Sequence, residues 1–292
     1  MGRPVIACVG EAMVELSFDR AEGRIGFAGD TLNTAVYLSR EIGKAGQVEF
    51  VTTLGRDGVS DRMIAFIEAE GVGTARIRRH PERLPGIYAI AVDAQGERSF
   101  SYWRDQSAAR TLFEDGFAQL AGADLIYLSA ITLAILPPER RYALLDHLAA
   151  HEARVAFDSN YRPRLWEDAR TAREVTEAAW RITDIALPSL DDEMALFGDA
   201  DAQAVRARLN GWGARQGALK MGARGALPLD PAVTCPDLQA AETVVDTTAA
   251  GDSFNGAWLA AHLNQLTDAE CLLRGHARAL DVIARPGAIL PR

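Results

Sequence analysis

The chain is expected to fold as an α/β protein with a central, mostly parallel sheet flanked by helices. Three observations carry that expectation. Short apolar runs alternate with stretches of helical period over residues 4–71, and again beyond residue 120. A strand-to-helix junction rich in small residues spans 244–263. Between the two α/β stretches, residues 87–103 read as a β-hairpin, an insertion that interrupts the rhythm.

In chain order, residues 4–10 form a short apolar run ending at glycine, the first buried strand. Residues 11–27 mix apolar and polar side chains with Gly23 and Gly26, and read as short strands outside the main core. Gly29-Asp30-Thr31 opens a helix to about Ile42, with Asp30 or Thr31 as its cap and Gly43 as its stop. Leu32, Ala35, Val36 and Ile42 suit its buried face. Asn33 falls in the first turn, where its amide either reaches a ligand or merely frays. Residues 50–54 are a second strand and 55–58 a turn. Met63, Phe66 and Ile67 mark the next helix, closed by Gly71. The hairpin pairs 87–93 with 98–103 across a turn at 94–97. It ends Tyr102-Trp103-Arg104, a composition that also suits a subunit contact.

Past residue 120, strands are expected at 124–128, 154–158, 184–187 and 217–221, and helices at 138–152 and 268–284. The run from Asp158 to Trp166 follows a strand, so it lies where open α/β sheets place ligands. Asp191-Asp192-Glu193 begins a helix, as the helix dipole favours. Gly222-Ala223-Arg224-Gly225 reads as a hairpin turn, or as a turn near a phosphate or adenine.

The 292 residues allow one large domain or two small ones, and 48% hydrophobic with 24% charged residues suits a globular protein. A net charge of -9 with no basic block argues against nucleic acid as the main partner. Cys8, Cys235 and Cys271 match no zinc or redox spacing and are expected to be buried free thiols in a reducing, cytoplasmic compartment. No leader and no membrane-length apolar run is read, so no membrane partner is expected.

The junction holds the chemistry. Val244 and Val245 read as the end of a buried strand. Phe254, Ala257, Trp258 and Ala261 form one helical face. Residues 247–251 are all small, which lets a ligand approach the backbone. Unpaired amides at a helix start bind anions. Asp252, at that spot, is either a helix cap or a working carboxylate.

Asp246-Thr247-Thr248-Ala249-Ala250-Gly251-Asp252 resembles the signature of the ribokinase-like sugar kinases, the PfkB family. The resemblance covers nearly the whole chain. Within that family, residues 29–34, 83–88, 96–100, 102–104 and 160–166 resemble the 2-keto-3-deoxygluconate kinases. It implies a single ribokinase-like domain over 1–292, with a small β lid from segments of about 11–28 and 85–105. It implies transfer of the ATP γ-phosphate to the 6-hydroxyl of a sugar acid, with Mg2+ and with a monovalent cation left open. By the same match Asp252 is the general base, and Ala249, Ala250 and Gly251 form the anion hole. Gly29, Asp30, Asn33, Tyr88, Tyr102, Arg104, Arg162 and Asp252 are matched to the sugar acid. Asn160, Arg162, Lys220, Gly222, Gly225, Ala249 and Gly251 are matched to ATP, and Glu193 to the metal. A guanidinium forks onto a carboxylate, so Arg104 and Arg162 favour an acidic substrate over a neutral one. Ala28 and Ala249 replace family glycines, and Leu190 replaces the Asn of an Asn-x-x-Glu motif. A homo-oligomer, paired through the lid or larger, is expected.

The competing readings are a kinase for another sugar or sugar acid, and a nucleotide-responsive protein without catalysis. The first strand ends Gly10-Glu11-Ala12, without the Gly-x-Gly-x-x-Gly of a dinucleotide oxidoreductase.

Overall fold

A computed structural model describes residues 2–19, 22–92 and 98–292. The first half contains β1 (Val5–Val9), β2 (Met13–Asp19), β3 (Glu22–Ala28), α1 (Asp30–Ile42), β4 (Gln47–Val51), β5 (Thr53–Leu54), α2 (Gly58–Ala69), β6 (Arg78–Arg79), β7 (Gly86–Val92) and β8 (Arg98–Trp103). The second half contains β9 (Leu125–Ser129), α3 (Ala130–Ile135), α4 (Pro138–Ala150), β10 (Arg154–Asp158), α5 (Ala169–Arg181), β11 (Ile185–Ala186), α6 (Leu190–Phe197), α7 (Ala202–Gly211), β12 (Gln216–Lys220), β13 (Ala226–Pro228), α8 (Ala250–Leu263) and α9 (Asp268–Ile283).

The main sheet has seven strands in the order β13-β12-β11-β10-β9-β1-β4. Every pair in it is parallel except β12–β13. Side chains alternate across a strand, so each strand feeds two cores. Ala7, Val9, Ile126, Leu128, Val155 and Phe157 face the layer that includes α4 and α5. Ile6, Cys8, Leu125, Tyr127 and Ala156 face the layer of α1, α2, α8 and α9. Burial on both sides explains why these strands read as continuous apolar runs.

Helix α8 lies inside its layer, buried from Ser253 to Ala261. Gly256 lets it approach α1 closely: a Cβ there would stand 2.8 Å from Leu38 N and Thr34 O. That approach brings the first turns of the two helices together.

The second sheet has four strands in the order β3-β2-β7-β8. It falls on the segments read as the lid. The turn expected at 94–97 lies outside the described residues. The register puts Met13, Glu15, Tyr88, Ile90, Phe100 and Tyr102 on one face, and Val14, Leu16, Phe18, Ile25, Ile87 and Trp103 on the other. The first face carries a run of rings, with Tyr88 centred 5.9 Å from Tyr102 and 6.3 Å from Phe100.

Several expectations are corrected. Val244 and Val245 are no strand end; they are exposed in an irregular segment, tied down by Val245 N donating to Ile283 O. Among the described residues no strand pairs with them, so β-branching alone does not make a strand. Helix α1 has Gly29 at its cap position and no side-chain cap, because Asp30 is engaged elsewhere. Cys235 is exposed, while Cys8 and Cys271 are buried, and all three are free. Helices α3, α5 and α7 were not anticipated. Among the described residues no helix is long and apolar enough to cross a membrane.

Candidate active site

The site forms at the carboxyl ends of the parallel strands. Ser129 ends β9, Asp158 ends β10 and Lys220 ends β12. The first turns of α1 and α8 point into the same space, as Asn33 Nδ2 donates to Asp252 Oδ2 at 2.9 Å.

Several helix starts elsewhere are closed by their own side chains, although α4 and α6 are not. Asp57, Asp168, Asp201 and Thr267 cap α2, α5, α7 and α9. At the site, α1 and α8 carry no side-chain cap. Apart from Ala250 N, which donates to Thr247 O at 3.2 Å, their first amides keep donor capacity and partial positive charge for an anion. Asp252 is in the first turn of α8 and does not cap it; its carboxylate turns to Asn33. The cap position is Ala249, held at φ 58°, ψ 16°. That left-handed geometry suits the glycine the family places there, and an alanine adopts it under strain.

Beneath Asp252 lies a closed polar network. Lys220 Nζ donates to Asp158 Oδ2 at 2.7 Å and to Asn255 Oδ1 at 3.0 Å. Asn255 Nδ2 donates to Asp158 Oδ2 at 2.6 Å and to Tyr127 Oη at 3.0 Å. Thr34 Oγ1 donates to the Asp252 carbonyl and is hydrogen-bonded to Tyr127 Oη, both at 3.2 Å. A Cβ on Gly251 would stand 3.5 Å from Lys220 Nζ, so the ammonium sits under the loop of small residues. Asp30 accepts from Asn160 Nδ2 at 2.9 Å and from Ser129 Oγ.

These surroundings alter acidity. Burial first, then the Asp30 carboxylate, push Asp252 up to about 8, against the Asn33 hydrogen bond that pulls it down. Asp252 keeps a partly exposed edge, and solvent there moderates the displacement. Burial, reinforced by Asp158 and Asp252, raises the Tyr127 hydroxyl far above its ordinary range, so it stays protonated.

The structure therefore brings Asp30, Asn33, Asn160, Lys220, Asp252 and residues 249–251 together. The remaining candidates divide. Tyr88 is buried and donates to Glu15, while Tyr102 is exposed. Arg162 is half-exposed, its Nη1 on the Tyr161 carbonyl at 2.8 Å and 3.6 Å from Asp192 Oδ1. Arg104 does not project freely from the hairpin; it is buried and paired with Glu11. Gly29 is extended at φ 169° and serves close packing, since a Cβ would stand 2.1 Å from Glu11 O. Gly222 and Gly225 have φ 58° and 79° and bracket the turn between β12 and β13.

Glu193 is corrected as a direct metal ligand. It is fully buried, with Trp180 Nε1 donating to Oε1 at 3.2 Å and Arg208 Nη2 to Oε2 at 2.7 Å. Burial lifts it to about 7. One residue earlier, Asp192 turns the other way, because successive helical residues are about 100° apart. Asp192 accepts from Tyr161 N and lies near Asp158 and Lys220; burial lifts it to about 6 despite Arg162. Asn255 and Tyr127 were not singled out from the sequence, and Asp158, Thr34 and Asp192 lay in stretches that were, without being given a role. A charged residue closing an apolar strand was the available signal for Asp158.

The site belongs to a recognisable lineage. The profile described as pfkB family carbohydrate kinase matches residues 4–292. The chain is 44% identical to a 2-dehydro-3-deoxygluconokinase of Dickeya dadantii, over 98% of this chain and 96% of that one. It is 41% identical to a 2-dehydro-3-deoxygluconokinase of Escherichia coli (strain K12), over 98% and 97%. A solved 2-dehydro-3-deoxygluconokinase from Thermotoga maritima shares the fold at TM-score 0.85, with 20% identity over 99% and 95% of the two chains. With a family match spanning nearly its whole length, this chain belongs to the pfkB family of carbohydrate kinases.

Proposed function

We propose that the protein transfers the γ-phosphate of ATP to the 6-hydroxyl of 2-keto-3-deoxygluconate (2-dehydro-3-deoxygluconate). The observation that carries a kinase reading is Asp252, a raised carboxylate at an uncapped helix start, oriented by Asn33. The substrate class follows the relatives above 40% identity, all of them 2-dehydro-3-deoxygluconokinases.

Phosphoryl transfer needs alignment and charge neutralisation more than covalent help. The amides of Ala249 and Gly251 receive the phosphoryl oxygens, Ala250 N being held on Thr247 O at 3.2 Å, with the Lys220 ammonium beneath them. Asp252 takes the proton of the attacking hydroxyl as that oxygen bonds to phosphorus and ADP leaves. Asn33 fixes the carboxylate's direction. Asp30, held by Asn160 and Ser129, is placed for a sugar hydroxyl. Arg162 and Arg104 receive the sugar carboxylate.

Among the described residues no group of three or more His, Cys, Asp or Glu could hold a metal ion. That suits Mg2+ carried on phosphates, which takes only one or two protein carboxylates. Asp192, with 22% of its side chain exposed, is the residue that would hold it on this reading. When bound, the ion neutralises charge on the transferring phosphate. For the oligomer, Phe18, Ile25 and Trp103 are exposed on the lid face whose Val14, Leu16 and Ile87 pack on the core, an apolar surface suited to a second copy.

The test is a panel of sugars and sugar acids with ATP and Mg2+, read as ADP release and by locating the phosphate on the product. Turnover of the 3-deoxy sugar acid well above that of ribose, fructose and nucleosides is expected. Preference for a neutral sugar would overturn the substrate, and ADP release with none of them would overturn catalysis.

A further inference from the structure

Four chain crossings join the lid to the main domain, and they meet around one residue. Glu11 lies on the first, between β1 and β2. The second, at Gly29, leaves no room for a Cβ against the Glu11 carbonyl. The third, at Gly86, would put a Cβ 2.6 Å from Glu11 Oε1 and 3.1 Å from Arg104 Cβ. Arg104 itself is the fourth, just past β8. Glu11 is 1% exposed and Arg104 7%, so their ion pair is sealed in the seam.

The pair is only half used. Arg104 Nη2 donates to Glu11 Oε2, while Glu11 Oε1 and Arg104 Nε have no hydrogen-bond partner. Buried polar atoms are nearly always paired. A buried guanidinium N–H without an acceptor, on a guanidinium whose Cζ is 6.0 Å from the centre of the Tyr102 ring, marks a place for one. A charge this deep also needs a permanent counter-ion, or it leaves for solvent.

We propose that Glu11 is the positioning residue of the sugar-acid site. It holds Arg104 buried in the empty enzyme with Nε offered to the substrate carboxylate, and so ties all four lid crossings to that contact. This rests on the sugar-acid reading above. Glu11 does not touch the substrate; it acts through one guanidinium, which can face two carboxylates because its donors form a rigid fork.

The experiment compares wild type with Glu11→Gln, Glu11→Asp, Arg104→Lys and the Glu11→Gln/Arg104→Lys double variant. Affinity for the sugar acid is measured calorimetrically without nucleotide. KM and kcat are measured for the acid and for its analogue with an alcohol in place of the carboxylate. Glu11→Gln should weaken binding and raise KM for the acid by about tenfold or more, with kcat and the KM for ATP within about threefold of wild type. The alcohol analogue should lose far less. The double variant should be no worse than the poorer single one, because both changes act on one contact. Glu11→Asp keeps the charge but shortens the reach, and should fall between; it carries the test if Glu11→Gln does not fold. Unchanged acid binding, equal losses on both compounds, or single losses that multiply would each overturn the role of Glu11. Wild type that prefers the alcohol analogue would instead overturn the sugar-acid reading.

Discussion

The network under α8 and the lid sheet solve opposite problems with similar polar residues. Around Asp158, Lys220, Asn255 and Tyr127 most polar atoms have partners, and the side chains are buried between packed layers. The lid presents one thin sheet, with Phe18, Ile25, Phe100, Tyr102 and Trp103 exposed and Glu11 and Arg104 incompletely paired at its base. Satisfied networks fix geometry; unsatisfied donors wait for a ligand. Under the proposed function, the difference puts phosphoryl transfer in the interior and a share of substrate recognition, through Arg104, at the base of the lid.

The sharpest way to break that division is Asp252→Asn. Turnover should fall ~10²–10⁴-fold, because Asn cannot accept the proton; near-normal kcat would remove Asp252 as base. In wild type, kcat/KM should decline as pH falls below about 8, where Asp252 becomes protonated, and the variant should lose that limb. Stability moves the other way. A carboxylate raised from 3.8 to about 8 on folding holds its proton more tightly in the native state, so stability falls as pH climbs between those values. Asp252→Asn should therefore gain on wild type in thermal unfolding from pH 4 to pH 8.

Next in size is Lys220→Met. It leaves the Asp158 carboxylate buried without its cation, and loss of one partner of such a pair costs about 3–5 kcal/mol. Denaturant unfolding reads this directly, and a loss near zero would mean that solvent reaches Asp158.

Arg162→Ala tests the substrate side. A charge-assisted bond is worth ~1.5–3 kcal/mol, so kcat/KM for the acid should drop roughly ten- to a hundredfold. Half-exposure of Arg162 favours the lower end. Equal losses on a neutral analogue would move this arginine from substrate to ATP or to the fold.

Hydrogen exchange compares the two regions without mutation. β7 and β8 should exchange faster than β9 and β10 in the empty protein, and slow when the sugar acid binds. Equal protection in both states would make the lid a fixed subunit contact.

The smallest expected effect is at Ala249. A left-handed alanine stores about 1–2 kcal/mol of strain, and glycine returns about 0.4–1 kcal/mol of that as unfolded-state entropy. Ala249→Gly should therefore stabilise by ~0.5–1 kcal/mol in denaturant unfolding. A destabilised variant would show that the alanine methyl has a packing role against the lid cluster of Met13, Ala28 and Tyr88.

Legibility from sequence follows the same division. The parallel strands were readable because each is an apolar run bounded by turn residues, and α1 and α8 because small residues and a carboxylate mark their starts. Helix α5 carried a signal that went unused: Ala172, Val175, Thr176, Ala179 and Trp180 repeat at helical spacing. Val244 and Val245 misled because strand preference depends on a neighbour that is absent there. Which of Asp192 and Glu193 faces the cleft depends on helix rotation, and a motif offset by one residue does not report it. The Glu11–Arg104 pair spans 93 positions, with no local pattern to announce it.

The bond between Asn33 and Asp252 closes a loop of 219 positions. Contacts so distant along the chain repay their closure entropy only after most of the sheet is assembled. The half of the site on α1 is therefore synthesised early and waits, as an apolar amphipathic segment, for α8 to arrive and cover it. During refolding, secondary structure should return before nucleotide or sugar binding does. A chain arrested before α8 should expose the α1 face, a natural hold for chaperones.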